Sequence, residues 1–211
     1  MQHHLDPHLP TPFEMLGACH ERVEGMLALL QRLRERMRAQ GADAQVRQAA
    51  ADVMRYFDLA AREHHRDEEL HVFPPLLAQG DGAVVATIVR LQIDHLNMEW
   101  RWLAAHDVLA AIATGGLQWL TPNHDGALDA FVRLYDKHIE TEEQIVFPAA
   151  AALVTGQPLQ AMGREMMARR GARPNTVPPP ARDASPAAQA ASLPAKAAPT
   201  PRAAPGRVRR S

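Results

Sequence analysis

Two stretches of this chain set imidazoles and carboxylates at a spacing suited to holding metal ions. Residues 64–74 read HHRDEELHVFP and residues 138–148 read HIETEEQIVFP. His64, Glu68, Glu69, Phe73 and Pro74 thus recur as His138, Glu142, Glu143, Phe147 and Pro148, offset by 74 positions. On a helix, residues four apart stand one above the other on one face, with Cβ atoms about 5–6 Å apart. His64 with Glu68, and His138 with Glu142, can therefore hold one ion together or one ion each in a close pair. A second correspondence, offset by 75, maps Leu91, His95 and Glu99 onto Leu16, His20 and Glu24. The chain is a duplicated helix pair, with a His-x-x-x-Glu on every helix.

The alternative to a metal is energetically poor. His64 and Glu68 share a helical stripe with Met54, Phe57 and Ala61, so they point into the core. A buried carboxylate without a partner costs several kcal/mol or stays protonated, and two that converge repel each other. Divalent cations neutralise the carboxylates and take the imidazole lone pairs. Nitrogen and oxygen donors without thiolate suit iron, manganese or zinc, and paired carboxylates able to bridge argue for two ions. The expected ligands are His20, His64, Glu68, His95, His138 and Glu142. Glu24 and Glu99 are possible additional ligands; they could also cap a channel or hydrogen-bond a ligand imidazole. Glu69 and Glu143 lie about 140° round the helix from their histidines and are read as solvated or paired, with a swap into the site still open.

The elements that must position these residues are helical. TPFE at residues 11–14 reads as a capping box, with Thr11 as N-cap, Pro12 at the first helical position and Glu14 facing back. Phe13, Leu16, His20, Val23, Leu27 and Leu30 then recur at helical spacing until Gly41. A second helix is expected from about Ala44 to about Val72, where Pro74-Pro75 interrupts the hydrogen bonding. QGDG at 79–82 reads as a turn. A third helix runs to about Ala113, with Ile88, Leu91, His95, Met98 and Trp102 on its inner stripe. A fourth, from about Asp125 to Ile145, carries Leu128, Phe131, Tyr135, His138 and Glu142. The fold class expected is all-α, an antiparallel up-down-up-down four-helix bundle. It spans residues 10–155, followed by a short outer helix within 156–170. Residues 171–211 read as a disordered tail, since nine of the chain's seventeen prolines fall there with almost no large apolar side chain.

The net charge of -1 gives no global argument for nucleic-acid binding, although seven Arg or Lys against one acid make the tail basic. That tail is read as solvated, an acidic partner being the alternative. No apolar run reaches membrane-spanning length. The single cysteine, Cys19, precludes an internal disulfide and fits a reducing, cytoplasmic setting.

The histidine of the first helix, HHRDEELHVFP, DHLNME and HIETEEQIVFP together resemble the hemerythrin-like family, or HHE cation-binding domains, over roughly residues 10–150. The resemblance implies a non-haem di-iron centre, with His20, His64, His95 and His138 as terminal ligands. Glu68 and Glu142 would bridge the two iron ions alongside an oxo or hydroxo group. Its expected partner is dioxygen, nitric oxide or peroxide, bound or sensed. The alternative is a stress-response enzyme or iron donor that turns over nitric oxide or peroxide or repairs iron–sulfur clusters. Oxygen-carrying members have His-x-x-x-His in the third helix where this chain has Glu99, and repair members have an N-terminal cysteine-bearing domain that these residues do not show.

Overall fold

Helix α1 (Pro12–Gln40) begins in the capping box expected of it. The Thr11 hydroxyl accepts from the Glu14 amide at 3.3 Å, and the Glu14 carboxylate accepts from the Thr11 amide at 2.7 Å. It ends at Gly41, whose φ of 77° only glycine adopts at low cost. A Cβ there would also meet the Gln118 carbonyl oxygen at 2.9 Å. The computed structural model describes residues 10–171, and every regular element among them is helical. Residues 1–9, with His3, His4 and His8, lie outside the described residues, as does the basic tail beyond Gly171.

The second rod runs further than its prolines suggest. It comprises α2 (Ala44–Tyr56), a π-helical turn (Phe57–Ala61), α3 (Arg62–Asp67), a second π turn (Glu68–Val72) and α4 (Phe73–Gln79). The expected stop near Val72 does not occur. Proline lacks an amide proton and crowds the carbonyl four residues back; the wider π turn just before Pro74 relieves that conflict and lets the helix continue. The same device recurs at Pro148, where α7 (His138–Thr141) passes through a π turn (Glu142–Val146) into α8 (Phe147–Leu153). Between them, α5 (Gly82–Ala113) is capped by the Asp81 carboxylate, and α6 (Pro122–Val132) by Thr121.

The fourth expected helix is interrupted. Residues 133–137 form tight turns in which Leu134, Tyr135 and Asp136 donate to carbonyls three residues back. A fresh helix then starts at His138. Helix α9 (Gly156–Arg169) covers the predicted 156–170 piece, but it is more than an outer element. Met162 and Met166 are buried in the core, and Arg169 reaches the fully buried Asp67 at 2.6 Å.

Around the core, α1 packs on α2 and α6, α5 packs on α2 and α6, and α4 packs on α5 and α8. Phe57 and Phe131, equivalent positions of the repeat, meet edge to face with ring centroids 5.0 Å apart, worth about 0.5–1.5 kcal/mol beyond area burial. The apolar interior divides into two clusters. One holds Val23, Ala61, Met98 and Tyr135; the other holds Leu16, Val72, Leu91 and Val146. On each rod the imidazoles and carboxylates fall between a residue of one cluster and a residue of the other. They form a polar slice between the two apolar clusters. Among the described residues no helix is long and apolar enough to cross a membrane.

Candidate metal centre

The structure brings His20, His64, Glu68, His95, His138 and Glu142 into that slice, all buried. Each carboxylate divides its two oxygens between two pairs of histidines. Glu68 Oε1 lies 3.3 Å from His64 Nε2 and 4.0 Å from His20 Nε2, while Oε2 lies 3.5 Å from His95 Nε2. Glu142 mirrors it, with Oε1 3.0 Å from His138 Nε2 and 3.7 Å from His95 Nε2, and Oε2 3.1 Å from His20 Nε2. His95 Nε2 and His138 Nε2 face each other at 3.2 Å. The π turns contribute to this geometry, because both Glu68 and Glu142 open one.

Several of these atoms lack hydrogen-bond partners. Both oxygens of Glu68, both of Glu142 and Nε2 of His20 are buried and without properly aligned donors. Orphaned buried groups cost about 1–3 kcal/mol each, and a cation in contact with all of them removes that cost. The donors are nitrogen and oxygen only, so a metal of the iron, manganese or zinc type fits the residues present.

Protons do part of this work in the protein alone. Burial pushes the Glu68 carboxyl well above its ordinary range, and the adjacent Glu142 reinforces the effect. Burial acts the same way on Glu142, but contacts with His138, His20 and His95 outweigh it and hold that carboxyl well below. Burial drags His20 and His95 down; Glu142 with Glu143 overcomes it for His20, and Glu142 with Glu69 overcomes it for His95, so both rise. His64, buried and facing the charge of His20, falls to about 3. Incoming cations must therefore displace protons.

The family model for the hemerythrin HHE cation-binding domain matches residues 11–165. This chain belongs to that family. An uncharacterized protein of Haemophilus influenzae is 29% identical over 163 residues, covering 75% of this chain and 90% of that protein. HHE domains bind metal cations, and the buried histidine–glutamate group of this HHE chain fits such a site.

The second glutamate of each duplicated pair has a task that spacing alone left open. Glu143 Oε1 lies 2.9 Å from His20 Nδ1, and Glu69 Oε1 lies 3.1 Å from His95 Nδ1. Each repeat thus steadies the imidazole of the other repeat, fixing ring orientation and raising basicity at the inner nitrogen. The signal in the sequence was the repeated Glu-Glu doublet: its first member turns inward and its second turns to the neighbouring rod. Glu24 and Glu99, by contrast, are exposed and stand outside the buried group.

His65 was not anticipated as part of this region. It shares a potential ligand cluster with His95 and His138, but its ring lies parallel to that of His95, centroids 4.1 Å apart and planes 9° from each other. Two parallel planes cannot both contain one ion. In this arrangement His65 is a stacking wall beside His95. It lines two open cavities, one of about 520 Å³ walled by Phe57, Met98, Trp102 and Phe131, the other of about 710 Å³ reaching His95. Its only sequence signal was the His-His dipeptide, unmatched in the second repeat, where Ile139 follows His138. Elsewhere, His71 pairs with Glu165 on α9 at 2.7 Å, His106 faces Asp58 at 3.6 Å, and Tyr135 packs on Phe131 and Phe57.

Proposed function

We propose that this HHE chain is a non-haem di-iron protein that binds or senses a small oxidant or gas: dioxygen, nitric oxide or peroxide. The observation that carries the reading is the division of Glu68 and Glu142, each with one oxygen toward His20 or His64 and one toward His95 or His138. Two cations would be held here, one by His20 with His64 and one by His95 with His138, each together with oxygens of Glu68 and Glu142. With four imidazoles and two carboxylates as the protein's inner donors, such ions would keep open positions for a small ligand. When bound, iron supplies the redox and ligand-binding chemistry of the site.

The residues of the chain do the rest. Glu69 and Glu143 hold the imidazoles of His95 and His20 in place. The apolar clusters on either side keep bulk water from the carboxylates. In this reading the rods form an antiparallel up-down-up-down bundle, a scaffold that commonly builds such sites from facing helices. A cytoplasmic setting agrees with the single cysteine.

Enzymatic turnover or iron delivery is the competing reading. Against thiol-assisted chemistry stands Cys19, whose thiol burial pushes up and so keeps protonated. Protein reconstituted anaerobically with ferrous iron should take up about two ions per chain, one for each histidine pair, and its visible spectrum should change on exposure to one of the three ligands. Failure to bind iron, or formation of a closed zinc site only, would refute the proposal. Multiple turnovers abolished by His138→Ala would favour the enzyme.

A further inference from the structure

Helix α5 is apolar on two opposite faces. One carries His95 between Leu91 and Met98 and faces the core. On the other, Ala86, Val89, Ile93, Leu96, Trp100 and Leu103 are all exposed, the last five by 47% to 74%. Their separations alternate three and four, which is the seam of a two-stranded coiled coil. A contiguous apolar stripe of this length on a protein surface marks an interaction site.

We propose that this stripe joins two copies of the chain, with the two α5 helices antiparallel about a twofold axis. Reversing the stripe about its midpoint sets Ala86 against Leu103, Val89 against Trp100 and Ile93 against Leu96. The outer layers then pair a smaller side chain with a larger one and the central layer pairs two of equal volume, which suits close packing. A parallel alignment instead stacks Trp100 on Trp100 and leaves Ala86 facing Ala86. The stripe is therefore complementary to its own reverse, the condition for an interface that uses the same patch on both subunits. Its side chains offer roughly 600 Å² per copy, about 1,200 Å² in the pair, at the lower edge of stable interfaces.

The interface bears on the metal centre without depending on it. Leu96 and Glu99 rim the cavity that reaches His95, and Trp100 and Leu103 rim the cavity against His65. The second copy lies across both openings and so limits what approaches the histidines.

Sedimentation velocity of the full-length protein as purified, between about 1 and 100 μM, tests the proposal. The wild type should show a concentration-dependent dimer. Leu96→Glu and Trp100→Gln should each raise the dimer Kd at least about tenfold while leaving thermal unfolding of the monomer intact, since both positions are exposed. A wild type that stays monomeric throughout, or variants that sediment like it, would overturn the inference. A monomer that instead co-sediments with phosphatidylglycerol vesicles would overturn it too, and assign the stripe to a membrane surface.

Discussion

Replacing Glu68 with leucine should move the metal-free and metal-loaded proteins in opposite directions. Glu68 is fully buried, and neither of its oxygens accepts a hydrogen bond. Without a cation it is pure desolvation cost, held down by keeping the carboxyl protonated. Replacing this unpaired buried carboxyl by an apolar side chain of similar volume removes about 1–3 kcal/mol of unsatisfied desolvation cost, less up to about 1.5 kcal/mol for imperfect shape. At about 2–4 °C per kcal/mol for a domain of this size, a net gain near 1 kcal/mol should make the metal-stripped variant melt roughly 2–4 °C above the wild type. The loaded protein should do the reverse. Glu68 is one of the two oxygen donors shared between the histidine pairs, and an ion present at a thousandfold above its Kd contributes about 4 kcal/mol to stability. Weakening it forfeits that contribution. Differential scanning calorimetry of chelator-stripped and anaerobically iron-loaded samples reads both shifts. If leucine lowers the melting temperature of the stripped protein like an ordinary core substitution, or both forms shift the same way, the metal rationale for these buried carboxylates is wrong.

Glu143→Ala should loosen the His20 imidazole and weaken iron binding by roughly 10–100-fold, measured by chelator competition. Removing the half-exposed Glu143 carboxylate leaves the buried His20 Nδ1 unpaired, so the stripped protein should lose no more than about 1–3 kcal/mol. The pH response of the stripped protein should peak near the ordinary histidine value. His20 and His95 are raised above 6.5, so the stability they contribute is full below that value and lost as pH rises through their folded-state values. His64, lowered to about 3, acts oppositely and costs stability as pH falls from 6.5 toward that value. The loaded form should instead gain from pH 6.5 upward, because its ligands must lose protons; thermal melts across pH 5 to 8.5 compare the two. Replacing Arg169 and Arg170 together by alanine strips Asp67 of both cationic partners. With Asp67 fully buried, urea unfolding should report a loss of roughly 3–5 kcal/mol; a loss below about 1 kcal/mol would show that α9 does not clamp the rod.

Much of this protein is determined locally. The capping box at Thr11, the helical spacing of Leu16, His20 and Val23, and the end at Gly41 all follow from short-range sterics and hydrogen bonding. The His-x-x-x-Glu spacing puts donors on one face because helix geometry admits no other outcome. Duplication then requires that equivalent residues be presented alike, which is why all six core donors could be named from sequence. Tertiary structure decided what depends on which rods are neighbours. Glu69 serves His95, and Glu143 serves His20, across the repeats; spacing along one helix carries no information about the helix opposite. Glu24 and Glu99 share the spacing of Glu68 and Glu142 yet are exposed outside the buried group; distance from a histidine along one helix does not say which rod covers the position. The break before His138, the burial of α9 and the stacking of His65 on His95 likewise arise from packing. Periodicity establishes which face of a helix is apolar, and only the assembled core establishes what that face meets.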